Sequence, residues 1–355
     1  MQSSKNADGS KKPWIETPLI ESATFSQQAG CRVFLKLELL QPSGSFKSRG
    51  IGNFISKSLT SPTNANKKVH FYISSGGNAG LAAVHAARDL GCACTVIVPH
   101  STKAMMISKL RAAGAEAVIQ HGASWFEADT FLRENYINHQ DAQTDSVNVY
   151  VPPFDDPLVW EGAATMVTEM AKQLPERDGD EFPADAIVCS VGGGGLFNGI
   201  VSGLDQYSAC RREAKPIRVL AVETAGADSL AHSLRSGELS SLKAITSQAT
   251  SLGALRVAPQ TFENARSPPS GVEVSSVVGS DEEAAIGILR LADELRLQVE
   301  LACGICVEVA LGGRLKEVIP DLTPESRVVV VVCGGSNVTA EMITDYRRKI
   351  QEGWD

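Results

Sequence analysis

The stretch Ser190-Val191-Gly192-Gly193-Gly194-Gly195-Leu196 restricts the fold of this chain more than any other. It follows Ala186–Ser190, an apolar run that reads as a buried strand, and it precedes a segment with helical periodicity. Four consecutive glycines are costly in chain entropy. They permit unusual φ angles and let backbone approach a ligand closely. Their N–H groups can surround a phosphate dianion, and the dipole of the following helix adds to the field. A tight structural turn is the plainer alternative. The loop matches neither the Walker A pattern nor G-x-G-x-x-G with a suitable acidic partner.

The same strand–loop–helix grammar recurs along the chain. Val33–Glu38 reads as a strand, followed by a Gly/Ser loop and a helix over about Phe46–Leu59. His70–Ile73 reads as a strand feeding Ser74–Gly77, with Asn78 as N-cap of a helix through Leu90. Thr95–Val98, Ala117–Ile119 and Val149–Val151 read as strands. Helices are expected around Lys103–Ala113, Ser124–Asn138 and Asp156–Leu174. Arg218–Val222 and Val328–Cys333 repeat the strand theme, and Pro175–Pro183 and Ser267–Ser270 read as surface insertions. Alternating strands and helices imply an α/β chain with mostly parallel sheets covered by helices. Sites in such sheets lie beyond the C-terminal strand ends. Three unusual loops, Ser74–Gly77, Gly192–Gly195 and Gly334–Ser336, each follow an expected strand, which points to one convergent site.

A length of 355 residues suits about two domains. The net charge of −8 argues against a general nucleic-acid binder, though not against an anionic ligand. Met1–Lys12 is polar and lacks a signal-peptide core, so it reads as a mobile lead-in. No run approaches the roughly 20 apolar residues of a membrane helix. The eight cysteines are dispersed, and without a secretion signal they read as reduced thiols of a cytoplasmic protein. Cys92 and Cys94 flank one residue and are expected on one side of a strand. Cys303 and Cys306 form C-x-x-C with no second ligand pair, so core packing is expected at both pairs.

Three further constellations carry chemistry. Gln41-Pro42-Ser43-Gly44-Ser45-Phe46-Lys47-Ser48-Arg49-Gly50 places a lysine at a helix start. Lysine amines form Schiff bases and shift pKa readily when desolvated, although most lysines are simply solvated. Ser74-Ser75-Gly76-Gly77-Asn78-Ala79-Gly80 offers hydroxyls and backbone amides suited to a carboxylate, or merely a capped turn. Val332-Cys333-Gly334-Gly335-Ser336-Asn337 ends an apolar run with a small thiol, either core filler or a weak hydrogen-bond partner.

In this order, from about Thr17 to Tyr346, the motifs resemble the serine/threonine dehydratases of the fold type II pyridoxal-phosphate family, closest to the short liver-type L-serine dehydratases. Val151-Pro152-Pro153-Phe154-Asp155-Asp156-Pro157-Leu158 and Trp160-Glu161-Gly162 belong to the same resemblance. It implies a tryptophan synthase β-like α/β fold of two open, mostly parallel-sheet domains with pyridoxal 5'-phosphate in the cleft. The expected division is a large domain of residues 1–40 plus 152–355 and a small domain of residues 41–151. By that resemblance Lys47 carries the cofactor covalently and Phe46 packs against its ring. Asn78 meets the ring hydroxyl, Gly192, Gly193, Gly194 and Gly195 cradle the phosphate, and Cys333 faces the pyridine nitrogen. Ser75, Gly76, Asn78 and Ala79 resemble the grip on the substrate carboxylate. A monovalent cation, K+, is implied near Glu223, Ala227, Leu252 and Ala254. Leu301 departs from the family pattern, which has proline there, and this puts the local backbone in question.

The implied reaction is β-elimination of L-serine to pyruvate and ammonia, with some conversion of L-threonine to 2-oxobutanoate. It places the protein in amino-acid catabolism and gluconeogenesis, as a homodimer acting on a small amino acid. L-threonine dehydratase is the nearest alternative, because one methyl discriminates by only ~1–3 kcal/mol. Serine racemases place a serine where Gly76 stands and tend to carry histidine at Ala79, so two-sided proton transfer lacks its second group. β-Replacement synthases offer serine or threonine where Cys333 stands. A non-catalytic binding protein on this scaffold would have lost the lysine or the glycine loop.

Overall fold

The computed structural model describes residues 11–138, 145–177, 182–208 and 215–354. Ten strands are described: β1 Leu19–Glu21, β2 Arg32–Lys36, β3 Lys68–Ile73, β4 Ala93–Val98, β5 Ala117–Gln120, β6 Ser146–Tyr150, β7 Ala186–Ser190, β8 Ile217–Thr224, β9 Val272–Gly279 and β10 Arg327–Val331. They form two sheets and two compact units. The smaller unit comprises Gln41–Gly162 with the described residues up to Ile15; the larger comprises Glu16–Leu40 and Ala163–Asp355. Against the division expected from sequence, residues 11–15 and 152–162 group with the smaller unit. The physical reason is packing: Pro13 and Trp14 lie against Gly52, and Gly162 lies against the Arg49 carbonyl and Gly50.

The smaller unit holds four parallel strands in the order β5-β4-β3-β6. Alanine-rich Asn78–Asp89 packs its buried face on this sheet, and the Lys47–Thr60 helix packs beside it. The larger unit holds six strands in the order β1-β2-β10-β7-β8-β9, parallel except at β1. β10 and β7 are central, and the valines Val328–Val331 and all of Ala186–Ser190 are buried. Continuous apolar runs suit strands covered on both faces. β9, at the edge, is only partly buried: Val272, Val277 and Gly279 are covered, and Glu273 and Ser276 are exposed.

Several expectations shift in detail. Asn78 is the first helical residue and Gly77 the N-cap, with no side-chain cap; the backbone turns one residue earlier than capping chemistry suggested. Glu38 leaves the β2 strand for a single 3₁₀ turn, Glu38–Leu40. Cys92 precedes β4 and does not share a strand with Cys94. Lys11 is not loose: its amine donates to the Asp89 carbonyl at 2.9 Å, satisfying a helix C-terminus. Residues 178–181, within the expected Pro175–Pro183 insertion, lie outside the described residues, as does Cys210.

Two further helices belong to the larger unit. Asp281–Leu295 begins with a capping box formed by Ser280 and Glu283. Leu301–Leu311 is buried along its whole length, so it shows no amphipathic period. The two cross at glycines: a Cβ on Gly287 would overlap the Gly304 carbonyl, and one on Gly304 would overlap the Ala284 carbonyl. Backbone, unlike a flexible side chain, cannot step aside. Gly287→Ala should therefore cost about 1–3 kcal/mol in overpacking, offset only in part by the ~1 kcal/mol helix preference of alanine. Urea unfolding should show a lowered midpoint; an unchanged midpoint would contradict the close crossing.

Candidate active site

The smaller unit places its expected site residues along one edge of its sheet. Ser75–Asn78 leaves the C-terminal end of β3, and Val151–Pro153 leaves that of its neighbour β6. Lys47 opens the Lys47–Thr60 helix, with Phe46 as N-cap. Its Nζ donates to the Pro153 carbonyl at 2.6 Å and lies 5.4 Å from the Phe46 ring centre. Burial pushes the amine's pKa down to about 8. Desolvation disfavours the ammonium form, and no carboxylate acts on the amine to restore it.

The lysine's position follows from local packing. A Cβ on Gly50 would meet Val159 Cγ1 and carbonyl O at 2.7 Å, and one on Gly162 would meet Gly50 Cα at 2.8 Å. These glycines press the Lys47–Thr60 and Pro157–Gln173 helices together. Asn53 Nδ2 donates to the Leu158 carbonyl at 2.7 Å and fixes their register. The Pro152–Pro153 segment is thereby delivered to the amine. Val151 N–H makes the last ladder-like bond, 2.8 Å to Tyr72 O, and the prolines after it have no N–H to extend the strand.

The loop after β3 is equally constrained. A Cβ on Gly80 would overlap the Ser75 carbonyl, so the peptide of Ser75 rests directly on the helix backbone. A Cβ on Gly76 would meet Thr102 Cγ2 at 2.6 Å and Val98 Cγ1 at 3.2 Å. The position therefore excludes a side chain; it is filled by Thr102. Ser75 Oγ accepts from Gly77 N–H at 3.4 Å, and Ala79 is buried.

In the larger unit the glycine loop, Cys333, Glu223 and Ala227 lie at the C-terminal ends of three adjacent parallel strands, β7, β10 and β8, while Leu252 and Ala254 lie at the Thr250–Leu252 turn. Gly192–Gly194 follow β7, and Gly195 opens the Gly195–Ser208 helix. Gly194 has φ +98, and a Cβ there would collide with Thr261. A Cβ on Gly192 would meet the Ser251 carbonyl at 3.2 Å and Leu252 Cα at 3.1 Å. Cys333, after β10, is buried, with its sulfur 3.6 Å from Ser190 Oγ and 4.0 Å from the Ala302 carbonyl. Burial holds the thiols of Cys303 and Cys306 well above the usual range, as it does that of Cys189, so these are packing groups. Among the described residues no group of three or more His, Cys, Asp or Glu side chains could hold a metal ion.

Glu223 ends β8 fully buried. Its carboxylate accepts from Leu230 N–H and Ala231 N–H, both at 2.8 Å, at the start of the Ser229–Ser236 helix. Burial nonetheless pushes its pKa up to about 8, because desolvation outweighs those two bonds. Ser229, in the same first turn, has a fully buried hydroxyl with no hydrogen-bond partner. Nothing in the sequence distinguishes it from other turn serines; burial does. Ala227 and Leu252 are buried, and Ala254 is half-buried. The Glu223–Ala227 segment is tied to Thr246–Ser247, in the stretch that leads to Leu252, by Thr224 Oγ1 to Ser247 Oγ at 2.8 Å and Thr246 N–H to the Gly226 carbonyl at 3.0 Å. Leu301 resolves its own departure: it is the first residue of its helix, where proline is also tolerated, and Glu300 before it is extended (φ −79, ψ 163).

Comparison with known proteins identifies the family. Residues 11–334 match the family described as "Pyridoxal-phosphate dependent enzyme". The chain belongs to this family. An L-serine dehydratase of Saccharomyces cerevisiae is 41% identical over 92% of this chain and 94% of its own length. An L-serine dehydratase/L-threonine deaminase of Bos taurus is 38% identical, over 95% of each. The crystal structure of a fungal L-serine ammonia-lyase from Rhizomucor miehei superposes with a TM-score of 0.82 at 31% identity, covering 95% of this chain and 99% of that one. The fold expected from sequence, α/β of fold type II with two mostly parallel sheets, is thereby established.

The residues present fit the family's cofactor. The glycine loop is a cradle with no room for a Cβ at Gly194 and little at Gly192, and its N–H groups lie at a helix start. Lys47 offers an amine that is substantially neutral near pH 8. Capture of an aldehyde needs that neutral form. In the cofactor-free protein, the rate at which Lys47 takes up pyridoxal phosphate should rise to a plateau with a midpoint of about pH 8, against about 10.4 for a solvated lysine. Stopped-flow absorbance checks this; a midpoint above 10 would contradict the burial.

Proposed function

We propose that this enzyme eliminates water from L-serine, giving pyruvate and ammonia, with a lesser conversion of L-threonine to 2-oxobutanoate. The reading is carried by the neutral-leaning Lys47 amine on the same sheet edge as the Ser75–Ala79 loop. The names of the yeast, cattle and fungal relatives support serine as substrate. The cattle relative's double name favours threonine as a second substrate. Pyridoxal phosphate, when bound, supplies an electron sink next to the substrate's Cα.

The chain's own residues do the rest. Lys47 would hold the cofactor and would serve as the base at the substrate's Cα, its ammonium form being disfavoured by burial. Phe46 would pack against the cofactor's ring, and Asn78 would meet its hydroxyl. Ser75, Gly76, Asn78 and Ala79 hold the substrate carboxylate with hydroxyl and helix-start N–H groups. Gly192, Gly193, Gly194 and Gly195 hold the phosphate. Cys333, a small buried group, would face the pyridine nitrogen and would hold a proton there far less firmly than a carboxylate. Racemisation is disfavoured because Gly76, backed by Thr102, presents no acid or base.

A monovalent cation, K+, is assigned to the Glu223, Ala227, Leu252 and Ala254 segments. The unpartnered Ser229 hydroxyl and the desolvated Glu223 carboxylate are what a cation would satisfy. The unpaired described thiols suit a reducing cytoplasm, and no described helix is long and apolar enough to cross a membrane. A homodimer is part of the same reading.

Purified protein loaded with the cofactor should show a visible absorbance band, absent from Lys47→Ala, and release pyruvate from L-serine faster than 2-oxobutanoate from L-threonine. A band without either product would overturn the elimination. Potassium should raise the thermal midpoint of wild type but not of Glu223→Gln; equal shifts in both would remove the cation from this site.

A further inference from the structure

The Ser75–Ala79 loop and the Pro153 carbonyl leave two neighbouring strands, β3 and β6. One side chain grips both strand ends. Asp129, on the Trp125–Leu132 helix, is buried, and its Oδ1 accepts from the Ser74 hydroxyl in a short hydrogen bond. The same oxygen accepts from the Tyr150 hydroxyl at 2.8 Å. Ser74 immediately precedes the carboxylate loop, and Tyr150 ends the strand that runs into Val151-Pro152-Pro153. Arg133 Nε donates to Asp129 Oδ2 at 2.7 Å, and its guanidinium stacks 3.8 Å over the Tyr150 ring. The charge is therefore balanced without touching either loop. Burial first, and the Asp129 carboxylate second, push the Tyr150 hydroxyl up from its ordinary range, so it stays a donor at every physiological pH.

A buried carboxylate is an expensive way to hold a fold together. Its placement gives a reason for its presence. Two donors on a single oxygen fix the separation of the two strand ends more tightly than the backbone ladder alone, which ends at Tyr72↔Tyr150. From one end comes the group that holds the substrate carboxylate. From the other comes the carbonyl that receives the Lys47 amine. A shift of the one relative to the other would move the substrate's Cα from the amine.

We infer that Asp129, through Ser74 and Tyr150, is a positioning residue that sets the distance between the substrate-carboxylate loop and the Lys47 amine. It touches no reactant. The inference rests on the proposed elimination and on the assignment of Ser75–Ala79 to the carboxylate.

Hydrogen bonds to charged groups are strong enough that losing one should be visible in kinetics. Ser74→Ala and Asp129→Asn should each lower kcat/KM for L-serine by about tenfold or more, with KM raised and kcat lowered together. The cofactor band should persist, because the glycine loop and Lys47 are untouched. Ser74→Thr, which keeps the hydroxyl, should restore wild-type KM. Tyr150→Phe keeps the ring and removes one of the two donors, so it serves if Asp129→Asn fails to fold; it should also raise KM. Binding of L-serine, followed as the change in the cofactor spectrum, should weaken in the same order. Variants with a lowered melting temperature but wild-type KM and kcat would overturn the inference and leave Asp129 as a fold bridge. If wild type itself releases no pyruvate, the elimination has failed instead, and the two failures are distinct.

Discussion

Withdrawing one lysine amine from water is the constraint around which the smaller unit is built. An ammonium group in that position would be costly, and among the described residues Lys47 donates to the Pro153 carbonyl and meets no carboxylate that would stabilise the charge. The acceptor must be a carbonyl whose strand has already ended, and two prolines in succession provide that. The helix bearing the lysine must lie close to the helix after the prolines, and Gly50 and Gly162 allow it. Each feature is cheap alone and meaningful only with the others. Together they yield an amine of pKa about 8, suited both to capturing an aldehyde and to removing a proton.

The larger unit solves the opposite problem. In the proposed reading it attracts the negative charge of a phosphate. Backbone N–H groups at a helix start do so, provided nothing crowds them, and the collision that a Cβ would make with Thr261 explains the glycine at 194. Glu223 shows the complementary device. A carboxylate from the end of β8 caps the helix that follows, while Asp228 at the N-cap accepts from Gly226 N–H and pairs with Arg235 instead. That exchange of partners leaves Glu223 desolvated and the Ser229 hydroxyl unanswered, in the neighbourhood assigned to the cation.

Much of this was legible in the sequence because it rests on local chemistry. Ala186–Ser190 reads as a strand from apolar continuity and is one, and the glycines after it punctuate it unmistakably. The Lys47 helix, β4 and the Pro157–Gln173 helix fall within one or two residues of their expected bounds. What was missed depends on partners distant in the chain. β9 contains Glu273, Ser275 and Ser276 and gains its identity only by pairing with β8. The Leu301–Leu311 helix is apolar all round, so periodicity is silent. Asp129 reads as an ordinary helical acid until Ser74, 55 residues away, and Tyr150, 21 residues away, are seen to meet it. Ser229 is invisible for the same reason: burial is a property of the fold.

The central claim is that Lys47, and no other of the chain's lysines, holds the cofactor. Borohydride reduction of the cofactor-loaded protein, followed by peptide mapping, tests it directly. A stoichiometric cofactor mass should appear on the peptide containing Lys47 and none elsewhere. A mass carried by another lysine, or a Lys47 peptide left unmodified while the protein retains its visible band, would contradict it.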